Sequence, residues 1–281
     1  MQKTLIILFK VVPVEVLYAV MGIVIIFYMI INRQGYLSSY HWFRRRFAFG
    51  PLKSFMGVYR NHFRFGQVIL DRFAMYAGKK FRLEFDGKEK FEALDAGESG
   101  FMMVSSHVGN YELAGYSLSS KRRKFNALVF AGETETVMKN RSIMLGNNSI
   151  SMIPMSEDMS HIFALSCALA NGEIVSVPGD RIFGSQKSVC CSFMGKDADF
   201  PMGPYALAVQ RNVPALAAFV MKSGSRSYKV ILREIGWGDA VGKAEKIQRM
   251  ASGFAAELEK VMREYPYQWF NYFDFWKEDE N

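Results

Sequence analysis

Hydrophobic and polar positions divide this chain into an apolar and basic opening and a longer stretch of alternating patterns. From Val11 to Ile31 nearly every residue is apolar, interrupted only by Pro13 and Glu15. This run approaches the length needed to cross the hydrocarbon core of a bilayer. It exceeds the apolar region of a secretory signal, and no small-x-small cleavage site follows it. The expectation is an amino-terminal hydrophobic membrane helix, either fully spanning or tilted and monotopic.

Beyond it the pattern becomes basic and aromatic. Arg33, Arg44, Arg45, Arg46, Lys53, Arg60 and Arg64 occur without an acid between Glu15 and Asp71, interleaved with Tyr36, Tyr40, Trp42, Phe43, Phe47 and Phe49. Cations and aromatics beside an apolar span belong to a membrane interface, and their excess is expected to place the downstream chain on the cytoplasmic side of the membrane. Single-stranded nucleic acid also binds through cations and aromatics, but its binders rarely set that stripe against a hydrophobic span. Residues 1–50 are therefore read as anchor and juxtamembrane segment, and residues 51–281 as one catalytic domain.

Pro51 suits the first turn of a helix running toward Tyr76 and ending at Ala77-Gly78. His62, between Arg60 and Arg64, reads as solvated or interfacial. After Phe81 short strands alternate with helices: strands at Phe81–Phe85, Phe101–Val104, Phe125–Phe130, Met152–Pro154, Ile174–Val177 and Tyr228–Arg233, and a buried strand from Pro214. Helices are expected at Glu89–Ala96, Thr134–Leu145, Asp158–Ala170 and Lys243–Arg263. This alternation predicts an α/β fold with a mainly parallel central sheet flanked by helices. The aromatic tail Tyr265–Trp276 is expected to pack back on the body, with contact to a membrane interface the alternative.

Ligands of parallel sheets gather at the carboxyl ends of the strands. Two polar turns should lie there: His107 with Gly109-Asn110 and Glu112, and Pro178-Gly179-Asp180-Arg181. On one continuous helix His107 and Glu112 would point roughly 140° apart. With His107 in a turn and Glu112 in the following helical turn they could form a dyad, the carboxylate taking Nδ1–H and leaving Nε2 as a base. The bland alternative is a satisfied strand-end histidine and a glutamate favoured by the helix dipole. Lys139 and Arg141 are either anion contacts or a solvated face, and His161 reads as a surface or satisfied histidine. Gly203 could let a helix start close to a ligand or another backbone.

Composition narrows the chemistry further. The 281 residues, half of them apolar, carry a formal charge of +8, which favours acidic partners. The patch Lys121-Arg-Arg-Lys124 could dock an acidic carrier protein or be a solvated loop. Cys167, Cys190 and Cys191 show no Cys-x-x-Cys spacing, and the four histidines no His-Glu-x-x-His, so neither a disulfide framework nor metal catalysis is indicated.

Ser106-His107-Val-Gly-Asn-Tyr-Glu112-Leu, then Gly172-Glu-Ile-Val-Ser-Val-Pro-Gly-Asp180, Phe193-Met-Gly195, Gly203-Pro-Tyr-Ala-Leu-Ala208 and Pro266-Tyr-Gln-Trp269 resemble, in order, the late acyltransferases of lipid A biosynthesis. These belong to the lysophospholipid acyltransferase superfamily. The resemblance implies transfer of a fatty acyl chain from an acyl carrier protein or coenzyme A thioester to a hydroxyl of a membrane-held lipid, with no further cofactor. His107 would be the base and Glu112 its partner, with Asn110, Lys139, Arg141, Asp180, Arg181 and Gly203 around the substrate. Backbone amides near Gly109 and the Arg181 side chain are candidate oxyanion donors. Two departures bear on the acceptor: Arg181 stands where a glutamine is usual, and residues 131–146 lack the usual arginine-rich pattern. They leave open an aminolipid or pigment-type lipid as acceptor, beside a non-catalytic lipid-binding protein on the same fold.

Overall fold

Pro13 decides where the first helix begins. It sits just outside α1 (Val14–Ile31) at φ −59° and ψ 139°, so the helix itself contains no proline. Glu15 falls in the first turn, where the helix dipole favours an acid, and pairs with Arg226 at 2.9 Å. The two apparent interruptions thus lie at the edge of the apolar run, and α1 keeps 18 residues, about 27 Å of helix. The computed structural model describes residues 9, 11–111, 113, 118, 120, 122–129, 150–156, 158–182 and 187–276.

Asn32 ends α1, and its side chain accepts the Gly35 N–H at 3.2 Å to cap α2 (Arg33–Arg46). Pro51 then opens α3 (Pro51–Tyr76), which closes at Ala77 and the left-handed Gly78. His62, expected to be solvated, is completely buried. Its Nδ1 lies 3.0 Å from the Val58 carbonyl and its ring 4.9 Å from that of Tyr272. The tail covers this face of α3, a long-range contact to which the neighbouring arginines give no clue. Burial pushes the imidazole below its usual pKa.

The remaining described elements are β1 (Arg82–Asp86), α4 (Lys88–Ala96), β2 (Phe101–Gly109), β3 (Phe125–Val129), β4 (Ile150–Pro154), α5 (Ser160–Ala170), β5 (Ile174–Pro178), β6 (Ser188–Phe193), β7 (Lys196–Pro201), α6 (Gly203–Arg211), β8 (Ala215–Lys222), β9 (Ser227–Ile235) and α7 (Lys243–Glu264). Seven strands form one sheet in the order β1-β9-β8-β2-β5-β3-β4, parallel throughout except between β8 and β9. The fold is the expected α/β arrangement. The helix expected at 134–145 lies outside the described residues. β6 and β7 form a separate hairpin whose turn, Met194-Gly195, has both φ angles positive, as a tight two-residue turn requires.

Burial on both faces explains the apolar runs. Met102 and Val104 of β2 enter one core with Phe254 and Leu258 of α7, while Phe101 and Met103 enter the other with Phe91 of α4. The tail packs on the body as expected: Trp269 meets Trp42 at 4.6 Å between ring centres, and Trp276 stacks on Phe193 at 5.8 Å.

A buried ionic cluster fastens α1 to the sheet. Lys222 at the end of β8 donates to Asp71 of α3 at 2.6 Å, and both side chains are fully buried. Tyr18 of α1 and Tyr228 of β9 each donate a hydroxyl hydrogen to the same carboxylate. The backbone of Lys222 is held in turn by the Gln268 amide, which accepts its N–H at 2.8 Å and donates to its carbonyl at 2.9 Å.

Candidate functional site

β2 and β5 are parallel neighbours with Ser105 opposite Pro178. Two residues further on, each strand delivers one polar side chain at the same level: His107 from β2 and Asp180 from the turn after β5. Asp180 grips the histidine twice, accepting the His107 backbone N–H at 2.7 Å and meeting ring Nδ1 at 2.8 Å. The carboxylate is buried, whereas the imidazole keeps 21% of its side-chain surface exposed.

The electrostatics select one tautomer. Burial alone would raise the Asp180 pKa, but the charge of His107, its two hydrogen bonds and the nearby Arg181 outweigh burial and hold it below the usual carboxylate range. An ionised carboxylate only accepts, so Nδ1 carries the hydrogen and Nε2 is the basic nitrogen of the neutral ring.

Gly179 makes this approach possible. A Cβ there would strike a Val104 methyl and stand 3.0 Å from the Tyr205 hydroxyl and 3.2 Å from the Phe254 ring. Its N–H donates to the Ser105 carbonyl at 2.8 Å, and its carbonyl accepts from Tyr205 at 3.0 Å. The turn carrying Asp180 is therefore pinned from both sides.

His107 lies within β2 rather than in the turn beyond it, where the sequence places it. The strand continues because the tail supplies a partner: Val108 bridges to Trp269, the Gly109 N–H donates to the Gln268 carbonyl at 2.8 Å, and the Phe270 N–H donates to the His107 carbonyl at 3.2 Å. Gly109 has φ +54°, and a Cβ there would collide with the Val220 carbonyl oxygen. Asn110 donates its backbone N–H to the same carbonyl at 2.7 Å. Of the backbone amides near Gly109 considered as oxyanion donors, those of Gly109 and Asn110 are thus committed within the fold. Asn110 is itself buried, 1% exposed.

Arg181 adjoins the pair but reaches the tail, donating from Nη2 to the Phe270 carbonyl at 2.9 Å, with its guanidinium 5.5 Å from the Phe273 ring. Gly203 begins α6 with open space where a Cβ would stand, so no close packing among the described residues requires a glycine there. Arg123, read as part of a carrier dock, is drawn inward, donating from Nη1 to the Gly172 carbonyl at 2.9 Å and from Nε to the Asp95 carbonyl at 3.2 Å. His161 is the satisfied histidine expected, its Nδ1 accepting the Ser156 N–H at 3.2 Å. Glu112, Lys121, Lys139 and Arg141 lie outside the described residues.

Residues 67–278 match the model for the bacterial lipid A biosynthesis acyltransferase family. The chain belongs to this family. No individually curated protein matches it. Membership assigns acyl transfer to lipid A-like acceptors, and the matched residues contain both His107 and Asp180. Acylating a lipid requires access to a membrane. α1 offers a surface suited to one, with Ile23, Phe27 and Ile30 between 62% and 74% exposed.

The sequence reading placed Asp180 near the substrate and assigned the Nδ1 partner to Glu112; in the structure Asp180 occupies Nδ1. One signal could have found it. In parallel strands paired Ser105 to Pro178, His107 and Asp180 stand the same two residues beyond the pair. The tail as a wall of the site had no such signal, because its pairing with β2 spans most of the chain.

Proposed function

We propose that this chain transfers a fatty acyl group from an acyl carrier protein or coenzyme A thioester to a hydroxyl of a lipid A precursor, at the cytoplasmic face of the inner membrane. The observation carrying this reading is the double grip of Asp180 on a partly exposed His107, in a member of a lipid A acyltransferase family. His107 Nε2 takes the acceptor hydroxyl proton as its oxygen attacks the thioester carbonyl carbon. The imidazolium formed is stabilised by Asp180, as a buried carboxylate stabilises histidine in a hydrolase triad. Collapse of the tetrahedral intermediate breaks the C–S bond, and the leaving thiolate takes the proton back from Nε2.

Glu112 is proposed as a second carboxylate of the site, and Arg181 as a donor toward developing negative charge, next to the imidazole it adjoins through Asp180. Lys139 and Arg141 are proposed contacts for acidic groups of the acceptor. α1 crosses or enters the bilayer, and the cations from Arg33 to Arg64 hold the catalytic domain at its cytoplasmic surface.

The test is turnover by purified full-length chain with an acyl carrier protein thioester and a lipid A precursor. His107→Ala should abolish transfer per folded molecule while membrane extraction stays unchanged, and Glu112→Gln should slow it; retained turnover in the alanine variant refutes the base. The departures in residues 131–146 favour one second reading, a different lipid acceptor. Mass spectrometry of lipids from a deletion strain separates the two, according to whether the missing acyl chain is on lipid A or elsewhere.

A further inference from the structure

The carboxyl end of α1, the start of α2 and the first turns of α3 enclose an apolar groove of about 670 Å³, within the size range of small-molecule sites. Ile30, Tyr36, Phe55, Met56 and Tyr59 line it, and Arg33 is the charged residue at its wall. Arg33 has no carboxylate partner among the described residues, and no acid occurs between Glu15 and Asp71. The groove also lies where the exposed apolar surface of α1 gives way to the polar Asn32, Arg33 and Gln34.

We infer that this groove binds one anionic phospholipid of the bilayer, its acyl tail along Ile30, Phe55 and Met56 and its phosphate on Arg33. Charge complementarity selects the anionic headgroup, and the continuity of the groove with the apolar face of α1 supplies the entry path. The site is distinct from the His107 site. On α2, Arg33, Tyr36 and Leu37 face the groove, whereas Ser38, His41, Trp42 and Arg45 lie roughly 130° round the helix against the tail that abuts His107. An anionic lipid held there orients the platform on which α1 to α3 carry the sheet, without entering the reaction.

This inference rests on the membrane attachment proposed above, so the experiment separates the two. Full-length chain is mixed with vesicles of phosphatidylcholine, alone or with phosphatidylglycerol, containing traces of a phosphatidylglycerol whose acyl chain bears a photoreactive diazirine. Flotation with neither vesicle refutes attachment itself. Given flotation, the expected result is labelling concentrated in peptides containing Tyr36 and Met56, competed better by phosphatidylglycerol than by phosphatidylcholine. Arg33→Gln should reduce that preference about fivefold, the effect of one interfacial cation, and Met56→Trp should reduce groove labelling by filling it. Labelling spread evenly over α1, equal competition by both lipids, or displacement of the label by the acyl thioester would each overturn the inference.

Discussion

Asp180 and Asp71 are both buried carboxylates that meet a basic side chain within 2.8 Å, yet the fold puts them to opposite uses. Asp71 is closed in: two tyrosine hydroxyls and Lys222 converge on it, and Lys222 has no exposed side-chain surface. Asp180 is buried behind a histidine that still reaches the surface. The pKa directions follow. For Asp71 burial outweighs its donors and pushes the carboxyl above its usual value, while the same burial pushes Lys222 below its own. For Asp180 the bonds from His107 outweigh burial and the pKa falls. A buried acid becomes useful to chemistry when its partner, not the acid itself, keeps a path to the substrate.

The largest expected difference between the two is in turnover. Asp180→Asn preserves the shape but offers an amide where Nδ1 needs an acceptor, so the ring loses its tautomer control. By analogy with the triad aspartate of serine proteases, transfer should fall by about 10⁴. Asp71→Asn should leave the rate per folded molecule within a few-fold of the parent. Single-turnover acylation of both variants checks this, and equal losses would erase the distinction drawn here.

Next comes stability. Lys222→Met strands the Asp71 charge in the core and should cost about 3–5 kcal/mol in chemical denaturation. Adding Asp71→Asn should recover most of that loss, because the amide oxygen accepts from one tyrosine hydroxyl and the amide NH2 donates to the other, with no unbalanced charge. Failure of the double variant to recover would mean that packing around the Lys222 stem, rather than charge, holds α1 to the sheet.

The smallest effect, and the one that sharpens the contrast, is in acid. A carboxyl with a lowered folded pKa contributes stability in full above its unfolded value of about 3.9, and loses it as pH falls through the folded value. Asp71, raised by burial, works in reverse: its contribution is present below the unfolded value and declines as pH rises toward the folded one. Unfolding free energies measured from pH 5 downward should therefore change slope in opposite senses, Asp180→Asn flattening the rise of stability with pH and Asp71→Asn steepening it. Slope changes of the same sign would contradict the assigned shifts.

Much of this was legible along the chain because it depends on local pattern. The apolar run of α1, the period-3.6 face of α7 with Met250, Phe254 and Leu258, and the strands closed by Gly or Pro follow from side chains read a few residues apart. The two polar turns were also correctly assigned to strand ends, since parallel sheets gather them there. The burial of His62, the continuation of β2 through His107 and the commitment of the Gly109 and Asn110 amides were not legible. The Asn110 amide is held by the Val220 carbonyl of β8, and the rest depend on residues 267–272 returning to β2 and α3.

By itself, then, the sequence determined the classes of element and the sheet-and-helix architecture and singled out His107 as a candidate base, because hydrophobic period and turn chemistry act over short separations. Only the tertiary structure decided that Asp180 holds the imidazole and that Asp71 meets Lys222. Strand register and the returning tail set which distant charges become neighbours, and a buried charge is tolerated only where a partner arrives within hydrogen-bonding distance.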